Sequence, residues 1–439
     1  MPFKLAAILA LAGMPLIAQT GTYLGPSILS RGGDAVGDRA GAQTGFQFYA
    51  GVYGTYETGL VPASVDSAGR IISPDSLLGV GADVGAYGRR TFRHTTIGLD
   101  YTGNYRHYTS NTYYDGSDHA LSLHIANQTT RRLQLNSSIN AGTISQYFVA
   151  GPASAADLIS APVYGIFDNR AYYLEGSGGF RYRSSARLTF TGNGTGFGVR
   201  RQSRALVGLN GYAAQGSMEY RLNRTRTVTA FYSFTHFDYP RGFGESDLHT
   251  YLLGVQQALG RRWEFGVSAG VSEISTIGLE QIAVDPITAA LFGTPVSVQA
   301  FSRSLIVGAG RAALSGKFKQ SKIEFTFSRM PSAGNGVYLT SKASTADATY
   351  SYSGIRRASL FLRADYNRLS SIGQQSLGNF TYLSGGGGGS YKLLGALEAT
   401  AMFDARNVQI DQTNGFARVS YRLRIGLNWH PGEFPISLW

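Results

Sequence analysis

The sequence predicts an all-β fold: a transmembrane antiparallel up-and-down β-barrel of about eighteen strands, with sixteen the alternative, because such barrels carry even strand numbers. Three observations predict it. First, the run from Ala417 to Trp429 alternates strictly. Ala417, Val419, Tyr421, Leu423, Ile425, Leu427 and Trp429 fall on one face, and Arg418, Ser420, Arg422, Arg424, Gly426 and Asn428 on the other. A period of two is a strand, and an arginine-rich face backed by aliphatics suits a wall with lipid outside and water inside. Second, segments of about ten to fourteen residues repeat this pattern from Gln43 onward, the length of a tilted membrane strand. Third, the connections alternate between short, basic turns and longer loops, as they do in membrane barrels.

Composition narrows the class. Charged residues are 15% of the 439, against 57 Gly, 27 Tyr and 24 Phe, with no Cys and 13 Pro. That balance suits an all-β envelope protein better than a soluble enzyme. The net charge of +12 would also suit a nucleic-acid binder. The cations gather in short turns instead, so no nucleic-acid partner is expected.

In chain order, Met1–Gln19 has a single cation at Lys4, a short apolar core and a small residue before Gln19. This predicts a signal peptide over 1–18, cut after Ala18. Residues 19–41 lack alternation and are expected to form a flexible lead-in or a short plug, too short for the plug of a TonB-dependent transporter. The barrel is expected over 42–429. Its parity is open in Leu78/Val80/Ala82/Val84, Ile97/Leu99/Tyr101, Leu121/Leu123/Ile125, Leu133/Leu135/Ile139, Trp263/Phe265/Val267, Ile323/Phe325/Phe327, Leu360/Leu362/Ala364 and Leu397/Ala399/Ala401. Apolar parity flips between Val207/Leu209 and Met218/Tyr220/Leu222, which predicts a β-bulge near Ala214. The run Gly385–Gly389 predicts a soft bend of the wall.

Short turns are expected at Arg89-Arg90, Arg131-Arg132, Ser184-Ser185, Asn223-Arg224, Gly260–Arg262, Lys319-Gln320, Arg356-Arg357 and Leu394-Gly395. Longer loops are expected at Gly59–Ser76, Gln146–Arg170, Tyr239–Ser246, Thr276–Ser302, Pro331–Lys342 and Ser370–Gly378. With both termini on one side, the short turns fall in the periplasm.

The series Tyr421, Leu423, Ile425, Leu427, Trp429 resembles the terminal strand of Gram-negative outer-membrane β-barrels, where such a series ending on an aromatic is the assembly signal. The resemblance implies the barrel-assembly machinery as a partner, with outer-membrane lipid and lipopolysaccharide around the wall. Most such barrels end on that aromatic. Here a tail continues over 430–439 with Pro431 and Pro435, a segment not expected to pair, which leaves Trp429 as the recognised end.

Inward parity gives a candidate lumen of Arg181, Arg183, Arg187, Arg363, Arg418, Arg422 and Arg424 facing Asp83, Asp100, Glu264 and Asp365. Arginines opposite carboxylates set a transverse field and an ion preference in a wet pore, or brace the wall as salt bridges. Arg89, Arg90, Arg131, Arg132, Arg261, Arg262, Arg356 and Arg357 would collar the periplasmic mouth, drawing in anions or anchoring at headgroups. Aromatics near strand ends, among them Tyr53, Tyr108, Tyr173, Phe237 and Tyr239, read as interfacial girdles, while Tyr212 and Phe231 read as inward stacking platforms. A Gly-x-Ser-x-Gly string occurs at Gly266–Gly270 but lies inside an expected strand and not at a strand-to-helix turn, and no Glu-x-x-His pair or metal spacing occurs, so no catalytic residue, cofactor or metal is expected.

These features predict a passive, anion-preferring, porin-like conduit for small anionic solutes. The size and basic lumen also resemble barrels that export an anionic exopolysaccharide. A non-conducting structural or adhesive barrel working through its loops is the third possibility.

Overall fold

Alternating residues force successive side chains to opposite faces, and the chain meets that demand throughout. The computed structural model describes residues 46–58, 64–65, 71–72, 76–109, 115–144, 170–202, 206–283, 287, 296–333, 339–372, 379–410, 416–431 and 433–434. The expected signal peptide and lead-in lie outside these residues, as does much of the long loops.

Eighteen antiparallel strands close into one barrel. They are β1 (Phe46–Thr58), β2 (Leu77–Thr91), β3 (Thr95–Tyr108), β4 (Gly116–Gln128), β5 (Leu133–Ile144) and β6 (Ala171–Arg183). Next come β7 (Leu188–Arg201), β8 (Leu209–Arg221), β9 (Arg226–Asp238), β10 (Glu245–Leu259), β11 (Trp263–Ala283) and β12 (Val296–Lys317). The last six are β13 (Ser321–Ser332), β14 (Ser341–Tyr352), β15 (Ala358–Ser371), β16 (Phe380–Lys392), β17 (Leu397–Ile410) and β18 (Phe416–Trp429). Each pairs with the next, and β1 closes on β18 from Ala50↔Trp429 to Thr58↔Tyr421. Closure removes the free edges of the wall itself, and β12 extends beyond its ladder with β13, which runs only from Gly310 to Lys317.

The outside is apolar. Val52, Leu78, Leu174, Leu253, Leu362 and Leu383 are all exposed, as are Tyr421, Leu423, Ile425, Leu427 and Trp429 along β18. Charged and hydroxyl-bearing residues are buried on the inside, among them Glu57, Asp100, Thr250, Asp404 and Arg422. Oil outside and polar groups inside is the arrangement a bilayer imposes.

One end carries every short turn named above. Their local chemistry is a recurring capped turn: Thr130 Oγ1 accepts from the Leu133 amide at 3.0 Å, Ser185 Oγ from Leu188 at 3.0 Å, and Asn223 Oδ1 from Arg226 at 2.8 Å. A short acceptor at the first turn residue closes the reversal without a long loop.

Three sequence expectations are corrected. No bulge interrupts β8, whose register runs unbroken from Asn210↔Asp238 to Arg221↔Thr227; the parity flips because Leu209 faces an apolar interior. The glycines of β16 do not interrupt pairing, since its ladder with β15 and β17 is continuous; their missing side chains leave room for Leu360, Leu362, Phe361 and Asp404 to lean across. Thr276–Ser302 is largely a hairpin, with β11 and β12 paired out to Ala283↔Val296 at 21 and 22 residues against 12 to 15 elsewhere. The tail does pair, at Phe46↔Phe434 and Gln47↔Glu433, because it follows β18 along the edge of β1.

Candidate functional site

The interior has two unlike sides. On β15–β18 and β1–β4 it is charged. Asp404 on β17 lies across from Arg422 on β18 and across from Gly386 on β16, whose other neighbour is Arg363 on β15. Asp404 Oδ1 accepts from Arg363 Nη2 at 2.6 Å, and Oδ2 accepts from Arg422 Nη2 at 2.7 Å and Nε at 3.2 Å. All three side chains are almost fully buried. The glycine between them is required: a Cβ at Gly386 would lie 2.5 Å from Asp404 Oδ1. Glu57 on β1 faces Arg422 on the same rung and accepts from Thr55 at 3.1 Å and from the Tyr108 hydroxyl at 3.0 Å.

The rung nearer the long loops runs Asp347, Asp365, Ser384, Arg406, Ser420, with Ser384 donating to Asp365 at 2.8 Å. On the rung nearer the short turns, Arg424 donates to Asp83 and lies over the Tyr53 ring, 3.5 Å from its centroid. Asn104 donates to Asp83 at 2.5 Å and to the Tyr53 hydroxyl at 2.7 Å. Arg106 and Asp118 pair at 2.8 Å. Arginines thus occupy three successive rungs, at Arg406, then Arg363 with Arg422, then Arg424, each against a carboxylate or a ring. Desolvated charges are tolerable only in such pairs.

On β6–β13 the interior is apolar toward the long-loop end and carries charged and hydroxyl-bearing groups nearer the short turns, such as Glu175, Arg181 and Thr250. Tyr173, Phe197, Val199, Leu209, Phe237, Leu248 and Ile274 form one buried cluster, with Leu305, Val307, Leu339 and Ile372 packed against it. Leu252, Ala309 and Met330 form a second, with Phe231 beside it. At the long-loop end, described residues that flank the connections pack onto the first cluster. Thr340, just before β14, bonds Ser246 of β10 at 2.5 Å and Tyr239 at 3.2 Å, while the Tyr239 hydroxyl also donates to the Ala333 carbonyl at 3.3 Å. Strands β10 and β14 are four apart in the wall, so these groups meet across the interior. Ser246 donates onward to Thr276 at 2.7 Å. Arg303 on β12 reaches the Ile372 carbonyl beyond β15 at 3.2 Å. Burial pushes the Tyr239 phenol above its usual range, keeping it a neutral donor.

The remaining predicted residues scatter. Asp100 is buried on an inward position of β3, Glu264 sits half-buried at an inward position near a short turn, and Arg181 pairs with Glu219 at 3.5 Å. Arg183 and Arg187 are exposed at a short turn rather than in the lumen, because β6 ends at Arg183. Arg418 lies across from Val408 on an inward position, and its side chain is outside the described residues. The collar residues all lie at the short-turn end: Arg131, Arg132, Arg261, Arg262, Arg356 and Arg357 are exposed, Arg90 stacks 5.4 Å from the Phe92 centroid, and Arg89 faces inward from β2. Tyr212 is exposed on the outer wall, stacked on His236 at 5.1 Å, and is not an inward platform. Tyr53, Tyr108, Tyr173, Phe237 and Tyr239 are buried inside and not girdle residues. The presence of Glu57 on the Tyr53 face of β1 was the signal for that assignment.

No protein-family model matches the chain, and no curated protein sequence matches it. Among solved structures it is similar to Pseudomonas aeruginosa OccK2 (OpdF) in complex with glucuronate, at 12% identity and a TM-score of 0.43 over 89% of this chain and 100% of that one. It is similar to Acinetobacter baumannii OccAB2, at 12% identity and a TM-score of 0.41 over 88% and 98%. The ferric citrate transporter FecA, unliganded, gives 11% identity and a TM-score of 0.45 over 84% of this chain and 61% of that one. At these values the likenesses add nothing to what the strand topology shows.

Proposed function

We propose that the chain is a bacterial outer-membrane diffusion channel in which small anionic solutes pass along the charged side of the lumen. The observation that carries this reading is the division of the interior. Apolar clusters and the residues packed against them occupy the long-loop end beside β6–β13, which leaves water and ions the rungs of β15–β18 and β1–β4. Arginines on successive rungs, held by neighbouring carboxylates or rings, set a positive field along this side, and conduction needs attraction that is weak enough to be left easily. The rungs themselves are close to charge-balanced. The exposed arginines of the short-turn mouth, which in this orientation faces the periplasm, add to the anion preference set by the lumen arginines.

Liposome swelling tests this with pairs of solutes matched in size. Vesicles holding the refolded barrel are expected to swell faster in a small monocarboxylate than in an equally large ammonium compound. Equal rates, or no swelling at all with the barrel inserted, would contradict the proposal; no swelling would favour a structural or loop-borne role.

A further inference from the structure

The outer wall at the long-loop end carries a cluster that conduction does not use. Arg329 on β13 and Arg368 on β15 both lie directly across from Ser344 on β14, one on either side, and both are exposed. Lys342 is one outward position nearer the loops, between Pro331 and Ser370. The outward rung below is Phe327, Ala346, Tyr366, and below that Phe325, Ala348, Ala364. The three cations therefore sit at the upper edge of the apolar belt, where a bilayer changes from hydrocarbon to headgroups.

Elsewhere on this rim acids stand at outward positions, as Asp247 beside His236 at 2.8 Å and Asp238 across from Glu245. By register, β12–β17 place no Asp or Glu at any outward position, so this face is of one sign. The two arginine backbones are two strand spacings apart, about 10 Å, with only a serine between them. That span admits a headgroup phosphate flanked by two guanidinium forks, whose planar donors match its oxygens. An apolar wall with Phe325, Phe327 and Leu362 exposed runs directly below, at the depth the acyl chains occupy.

We propose that Arg329, Lys342 and Arg368 form a docking surface for the phosphorylated headgroup of an outer-leaflet glycolipid. The inference rests on the orientation given above, with the long loops at the cell exterior.

The test uses the full chain refolded in detergent, with bis-phosphorylated lipid A as probe and native mass spectrometry to read retained copies. Wild type is expected to retain lipid A, and Arg329→Gln/Arg368→Gln to bind it roughly thirtyfold more weakly, with about a fivefold loss for Lys342→Gln. Arg200→Gln, an exposed outward cation at the same end on β7, is expected to bind as wild type does. The same glycolipid without phosphates should bind wild type no better than lipid A binds the double variant. Each variant is first checked for the heat-dependent gel shift of a closed barrel. Equal retention by wild type and the double variant would overturn the proposal, as would an equal loss in Arg200→Gln or full displacement by millimolar inorganic phosphate. A barrel that conducts but is indifferent to lipid A fails this inference alone; one that retains lipid A but never conducts fails the channel reading alone.

Discussion

The two sides of the lumen are built on the same backbone and differ only in what their inward positions hold. On β15–β18 and β1–β4 each inward rung is closed by ion pairs, hydrogen bonds and ring contacts between adjacent strands, as in Arg363, Asp404 and Arg422. On β6–β13 the inward residues toward the long-loop end include a large apolar cluster, and contact extends across the barrel to Thr340, Leu339 and Ile372. The first kind of packing ties neighbouring strands of the wall to one another. The second draws loops inward, because each buried apolar side chain adds about 1.5–3 kcal/mol. The difference teaches that a wide barrel is narrowed by the polarity of its inward rungs and not by its strand count.

The largest effect expected is at Asp404. Asp404→Ala leaves two buried guanidinium groups facing each other and should lower stability by roughly 3–5 kcal/mol, read from urea unfolding followed by tryptophan fluorescence. Phe237→Ala on the apolar side should cost a similar amount, about 3–5 kcal/mol. The two should then part company in function: Phe237→Ala raises conductance by loosening the inward packing, and Asp404→Ala alters ion preference. The same functional change from both would erase the distinction between the sides.

The glycines sharpen it further. Gly386→Ala pushes on Asp404 and is expected to cost about 1–3 kcal/mol. Gly194, on the outer wall of β7, would place a Cβ in open space, so Gly194→Ala should stay within about 0.5 kcal/mol of wild type in the same unfolding assay. A smaller change than at Gly386 is expected from Thr340→Val, which takes one hydrogen-bond partner from each of the buried Ser246 and Tyr239 hydroxyls at a cost of roughly 0.5–1.5 kcal/mol. Its single-channel current should be noisier and larger than wild type; a current unchanged in both respects would remove the inward connection from the constriction.

Much of this fold was legible in the sequence because a period of two survives in a wall that separates lipid from water. The strands, the alternating turns and loops, and the even strand number all follow from that one constraint. The charged rungs were legible for the same reason, as at Arg363, Arg422, Arg424, Asp83 and Asp365. What could not be read was the apolar side. Leu209, Phe237 and Tyr173 sit inward while Tyr212, Met218 and Leu174 sit outward, so both faces are apolar and parity no longer says which is which. That is why an unbroken strand looked like a bulge. The pairing of Asp404 with two arginines, and the seating of Arg424 on Tyr53, depend on register between strands, which composition along one strand does not carry.

The most direct test of a conduit along the charged side is the reversal potential of single channels in a planar bilayer under a salt gradient. It is compared between wild type and Arg406→Gln/Arg424→Gln, which keeps the Asp404 triad intact. Steady, anion-preferring current whose preference falls in the variant is the predicted result. An inserted barrel that stays silent, or a preference unchanged by the variant, would contradict it.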